Sequence, residues 1–187
     1  MDGTLLAALE RYVDERYGDA SWTALLDEAG VGPREYRSGE DVQDADFTAI
    51  VGAVPAITPV PLSSLAEDFG RYLAPELWGR YGHLARPDWR ILDLLENVES
   101  MYGAFGAALF GSALPVLSSA RTAEGEVTLR YASPRRLCAL AKGITRGIAE
   151  SLGEKIEIAE RACMLAGAPA CEIRVFVGVS RGERKSP

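Results

Sequence analysis

The sequence predicts an α+β fold, a helical first half packed on a C-terminal four-stranded antiparallel sheet that carries a helix. Three observations predict it. Apolar residues recur at helical spacing through the first half. From about Leu114 the pattern changes to short alternating segments rich in β-branched residues. Those segments come as a pair, a helical stretch, and a second pair.

Leu5, Leu6, Leu9, Tyr12, Val13 and Tyr17 form one stripe closed by Gly18. Ser21 is positioned to cap a helix over Trp22 to Ala29, and Gly30 to end it. The polar stretch from Arg34 to Asp44 reads as a loop. A short helix from Asp46 to Val54 is expected to stop at Pro55, with Pro59 as a second breaker. Ser64-Leu65-Ala66-Glu67 has the form of a capping box, so a helix should begin there and turn Leu65, Phe69, Tyr72 and Leu73 inward. One further helix is expected from about Trp89 through Leu92, Leu95, Val98, Met101 and Phe105. Strands follow over Pro115 to Arg121 and Val127 to Tyr131, joined by an Ala123-Glu124-Gly125 turn. Leu137, Cys138, Ala141, Ile144, Ile148 and Leu152 mark a helix opened by Ser133 and Pro134 and stopped by Gly153. Strands over Lys155 to Glu160 and Glu172 to Val179 complete the sheet, and the tail Arg181 to Pro187 is polar and frayed.

The chain has 187 residues, enough for one well-filled domain, read as a helical subdomain over about 1–60 and a helix-plus-sheet subdomain over about 61–187. A net charge of −7 argues against nucleic acid or an anionic membrane as partner. No stretch has the form of a signal peptide or the roughly 20 apolar residues of a membrane span, so a cytoplasmic address is expected. Three cysteines then point to thiols or a metal site before disulfides.

The stretch with the most chemistry is Tyr131-Ala132-Ser133-Pro134-Arg135-Arg136. A phenol, a hydroxyl and a guanidinium flank an expected helix N-terminus. That combination suits an anion, and the planar Arg fork suits a carboxylate best.

The order of elements and several motifs resemble the haem-nitric oxide/oxygen-binding (H-NOX) family. Tyr131-x-Ser133-x-Arg135 resembles its Tyr-x-Ser-x-Arg signature for haem propionates. Arg16-Tyr17-Gly18 with Trp22, Phe69-Gly70-Arg71-Tyr72-Leu73, and Pro115 at the place of a haem-distorting proline support the likeness. The resemblance implies a cofactor pocket of Tyr131, Ser133, Arg135, Tyr102, Pro115 and Leu140, lined further by Leu5, Leu9 and Ile144. It also implies a gas or other small-molecule ligand, and an output to a separate signalling protein such as a histidine kinase or cyclase.

One departure stands out. Where the family pattern Leu-x-Asn-Leu-x-x-Leu-His carries its iron-ligating histidine, this chain reads Leu95-Glu96-Asn97-Val98-Glu99-Ser100-Met101-Tyr102. The single histidine, His83, lies about five helical turns earlier and cannot replace it without a different backbone path. Tyr102 could ligate iron only as a phenolate, and its ordinary pKa of about 10 sets that against it unless a cation stands near. The small residues Gly103, Ala104, Gly106, Ala107, Ala108 and Gly111 leave either room for a ligand or a close backbone approach. Leu140, where oxygen-binding members have a distal tyrosine, would make the distal side apolar.

Some members of the family carry zinc on cysteines spaced like Cys138, Cys163 and Cys171, with a histidine where this chain has Glu160. Three thiolates and a carboxylate can complete a tetrahedral zinc site. Buried thiols or a Cys163–Cys171 disulfide are the alternatives. The same segment resembles the end of 4-vinyl-reductase-like small-molecule-binding domains. Three functions follow from the residues together with the resemblance: a haem or other ligand sensor, a haem-free sensor of fatty-acid-like molecules, and a zinc or thiol redox sensor. An enzyme is not expected, because no nucleophile and base pair is evident.

Overall fold

The structure is a computed structural model that describes residues 3–110 and 114–178. Seven α-helices and four strands follow one another among these residues. The first are α1 (Gly3–Tyr17), α2 (Ser21–Ala29), α3 (Asp44–Ile57) and α4 (Leu62–Tyr81). Next come α5 (Ile91–Glu96), α6 (Val98–Phe110), β1 (Val116–Ala123) and β2 (Glu126–Ala132). The chain closes with α7 (Cys138–Ser151), β3 (Ile156–Ala162) and β4 (Cys171–Val177). The sheet is four-stranded and antiparallel, as the α+β reading expects, and its order is β1-β2-β4-β3.

Alternation decides which strand residues face inward. Val127, Leu129 and Tyr131 of β2 and Cys171, Ile173 and Val175 of β4 are buried, and the residues between them are less so. The register pairs Val127 with Val175 and Tyr131 with Cys171, so the phenol and the thiol share the inner face. This face packs with Ile91, Leu92 and Leu95 of α5 and with Cys138 and Ala149 of α7. A second apolar cluster gathers Leu5, Leu6, Leu25, Ile50 and Leu73 from α1 to α4, and reaches Tyr102 and Leu140.

Helices α4 and α7 touch backbone to backbone. A methyl at Gly143 would collide with the Glu67 carbonyl and the Arg71 amide, and one at Gly147 with the Arg71 backbone. Only glycine permits this approach. Outside the contact, Arg146 donates to Glu67 at 2.7 Å and Arg71 to Glu150 at 2.8 Å.

Several boundaries differ from expectation. Ser21 does not cap α2 with its side chain; its hydroxyl donates to the Tyr17 carbonyl instead. Gly30 ends α2 as expected, in the left-handed conformation at φ 67°. Helix α3 runs through Pro55 to Ile57, with Pro55 inside its last turns. Helix α4 starts at Leu62, and Glu67, expected in a capping box, is drawn to Arg146. The single helix expected from Trp89 is two, broken at Asn97, whose side-chain amide donates to the Asp93 carbonyl. Pro134 does not open a helix: α7 begins four residues later at Cys138. The expectations for the Phe105 side chain, Gly111 and the Arg181 to Pro187 tail fall outside what is described.

Replacing Gly143 by Ala is expected to lower stability by about 1–3 kcal/mol, the range for overpacking a tight contact. Gly79→Ala, at an exposed α4 position where a methyl meets nothing within 4 Å, should raise it by about 0.5–1 kcal/mol. Urea unfolding of the two variants checks both signs.

Candidate functional site

Strand β2 ends at Ala132 and the chain reverses through Ser133-Pro134-Arg135-Arg136. The Arg136 amide donates to the Ser133 carbonyl at 3.1 Å, a β-turn with proline at its favoured second position. The Ser133 hydroxyl accepts from the Arg135 amide at 3.2 Å, so it secures the turn and not a helix end. Arg136 leaves the turn at φ 51°, uncommon for a side chain of its size.

This turn seats Arg135 inside the protein. Its side chain is only 8% exposed, and it grips Asp44, the first residue of α3, through one edge of its guanidinium. The Nη2 donates to Oδ1 at 2.6 Å and Nε to Oδ2 at 3.2 Å. The guanidinium holds the Asp44 carboxyl below its usual range, chiefly through these hydrogen bonds. Asp44 was not singled out in the sequence, because 91 residues separate the partners and no local pattern announces the pair.

Two cavities lie on either side of the first turn of α7. The larger, about 690 Å³, is enclosed by α1, α2, α3, α4 and the start of α7, with Leu5, Leu9, Phe47, Ile50, Phe69 and Leu140 among its walls. Arg135 and Arg136 line it beside these apolar side chains. The smaller, about 130 Å³, lies between the end of α4, α5, α6, α7 and the sheet, and is lined by Tyr102, Pro115, Tyr131 and Ile144. Leu137 lines both. The residues expected in one pocket therefore divide: Leu5, Leu9, Leu140 and Arg135 face the larger space, and Tyr102, Pro115, Tyr131 and Ile144 the smaller.

The smaller cavity holds neutral phenols. Burial pushes the Tyr131 phenol up to about 12, against the pull of the Ser133 hydroxyl and the Leu137 amide. Those two groups stand near the Tyr131 oxygen, but none completes a hydrogen bond of ordinary geometry with this buried atom. Burial also raises Tyr102, Tyr131 adds to the rise, and Arg135 opposes it. A methyl at Gly106 would lie 2.8 Å from the Tyr102 ring, so this glycine makes room for the phenol itself. His83 is exposed in a 3-10 turn after α4 and lines neither cavity.

The cysteines meet as the fold brings α7, the end of β3 and the start of β4 together. Ligand atoms of Cys138, Glu160, Cys163 and Cys171 all lie within 4.8 Å of one another. The Cys138 and Cys163 sulfurs are 3.9 Å apart, and all three thiols are unbridged, which removes the Cys163–Cys171 disulfide from this arrangement. Tetrahedral zinc with bonds of about 2.3 Å sets its sulfurs about 3.8 Å apart, so the donor set fits that ion. Burial raises the Cys138 pKa, with the neighbouring thiols adding; burial raises Cys171 too, against the Met164 amide and the Cys138 thiol. The Met164 amide donates to the Cys171 sulfur at 3.2 Å, and Lys142 lies 3.3 Å from Glu160.

A family model described as Haem-NO-binding matches residues 2–160. Among solved structures, an H-NOX protein from S. oneidensis in the Fe(II)NO ligation state is 25% identical, with a TM-score of 0.83 over 95% of this chain and 99% of that one. An H-NOX domain from Shewanella oneidensis in the Fe(II)CO ligation state is also 25% identical, with a TM-score of 0.79 over 96% of this chain and 100% of that one. A Cs H-NOX mutant, 19% identical at a TM-score of 0.80 over 98% of this chain and all of that one, shares the fold. No curated protein matches. A family model spanning most of the chain, together with the helix and sheet order just described, establishes that the chain belongs to the Haem-NO-binding family.

Proposed function

We propose that this chain is a sensory ligand-binding domain without catalysis of its own, which takes an apolar molecule bearing a carboxylate and signals to a separate protein such as a histidine kinase or cyclase. One observation carries the reading. A buried guanidinium that already grips a carboxylate stands in the wall of a 690 Å³ apolar cavity. That volume falls within the roughly 300 to 1,000 Å³ of pockets that hold drug-sized ligands.

Asp44 acts as the resident carboxylate. A ligand acid that takes its place on Arg135 releases the start of α3 from the turn after β2, and so changes how the helical half sits on the sheet half. Ser133 keeps the turn in shape for the exchange.

Haem and a haem-free fatty-acid-like molecule are the ligand classes to weigh. A haem would find its carboxylate partner in Arg135. At the position where the family pattern has its iron-ligating histidine stands Tyr102, a phenol that burial keeps protonated and that lines the cavity of about 130 Å³. That set does not suit a resident iron porphyrin, and the geometry favours the fatty-acid-like ligand.

The cysteine cluster supports a second reading, a zinc or thiol redox sensor. Cys138, Cys163, Cys171 and Glu160 would hold the ion, which would tie the start of α7 to the β3–β4 connection. Lys142 competes for the Glu160 carboxylate, so the carboxylate is the weakest of the four ligands.

Arg135→Ala is expected to weaken binding of a long-chain carboxylic acid by about 1.5–3 kcal/mol, measured by calorimetry, and an unchanged affinity would refute the acid site. The purified protein should show no Soret band and take up no haemin. With its pKa lowered by Arg135, Asp44 contributes stability that is full above its ordinary pKa of about 3.9 and is lost as pH falls through the lower folded value. Its carboxyl carbon resonance should titrate below about 3.9 in the wild type, and at a higher pH in Arg135→Ala than in the wild type. Metal analysis should find one zinc per chain, absent from Cys163→Ser and released by mild peroxide.

A further inference from the structure

The smaller cavity has a chemistry of its own. Its walls are almost wholly hydrocarbon, from Leu95, Met101, Leu129, Ile144 and Ile148 with Pro115. Thr145 lines it too, but its hydroxyl donates to the Ala141 carbonyl at 2.9 Å and is spent on the helix. Tyr131 is 3% exposed and its hydroxyl has no ordinary hydrogen-bond partner, although a buried phenol usually finds one.

Size and polarity then exclude most occupants. A porphyrin is too large for about 130 Å³. A diatomic gas would leave most of the volume empty. An ordered water typically makes about three hydrogen bonds, and these walls offer it only the phenols of Tyr131 and Tyr102. An ionised acid would be buried without a countercharge, since Arg135 lines the other cavity and holds Asp44. What remains is a single small ring: an engineered apolar cavity of about 150 Å³ in another protein stays dry and takes benzene. The Tyr131 hydroxyl adds an acceptor to the requirement.

We propose that this cavity is a second ligand site for an uncharged, single-ring carbonyl compound, whose oxygen accepts a hydrogen bond from the Tyr131 hydroxyl. The site stands apart from the acid site at Arg135, and neither depends on the other. Ring and acceptor are read by different groups. The hydrocarbon walls take the ring, and Tyr131 discriminates the carbonyl from a hydrocarbon of the same shape.

Acetophenone and ethylbenzene, matched in shape with and without the acceptor, test this on the full chain by amide NMR titration. Both should shift the amides of Leu95, Leu129 and Ile144 and leave those of Leu9, Ile50 and Val54 in place. Tyr131→Phe should weaken acetophenone about 2- to 12-fold, as loss of a neutral hydrogen bond predicts, and leave ethylbenzene unchanged. In the wild type, the carbonyl stretch of bound acetophenone should fall below its value in an apolar solvent, a reading that needs no variant. The proposal is overturned by an absence of shifts at Leu95, Leu129 and Ile144, by shifts confined to the larger cavity, by equal loss of both compounds in the variant, or by an unmoved carbonyl stretch. An acid that still binds at Arg135 while these compounds fail would leave the acid site standing and remove this one.

Discussion

The backbone contact between α4 and α7 is the constraint on which the arrangement rests. Gly143 and Gly147 let the helices close until main chain meets main chain, and Gly70 contributes from the α4 side, where a methyl would strike the Leu140 carbonyl. Nothing the width of a side chain passes between them at that point. The interior is therefore divided, with Phe69 and Leu140 on the larger cavity and Leu77 and Ile144 on the smaller. Leu140 and Ile144 are one helical turn apart and would ordinarily share a face. The crossing separates them.

The same division distributes the polar groups. Arg135 belongs to the large space and is balanced by Asp44, because a guanidinium this buried is retained only when paired. Tyr131 belongs to the small one, where neutral phenols and hydrocarbon exclude charge. A motif of alternate residues, Tyr131-x-Ser133-x-Arg135, thus serves different purposes at its two ends, with Ser133 as the hinge of the turn between them. Strand alternation points Tyr131 inward, and the reversal after β2 carries Arg135 to the other side.

The cysteines depend on strand register. Tyr131 stands opposite Cys171, and the irregularity between Glu160 and Ala162 shifts the end of β3 against β4. Cys163 follows directly and comes to 3.9 Å from Cys138 at the start of α7. The thiol cluster thus joins the element that carries the acid site to the sheet edge.

The sequence by itself determined the α+β class, the two strand pairs, the inward stripes of α1 and α4 apart from Tyr17, which is exposed, the family motif, and the set of thiols. Each of these is written in local spacing or in short-range patterns of apolar and turn residues. It also gave boundaries that tertiary contacts overruled: Glu67 left its capping box for Arg146, and α7 began beyond Pro134 because Ser133 was used in a turn. Only the folded chain decided that Asp44 occupies Arg135, that one expected pocket is two, and that Gly106 serves the Tyr102 ring. The first two depend on groups tens of residues apart brought together by packing, and the third on a side-chain direction that residue spacing leaves open.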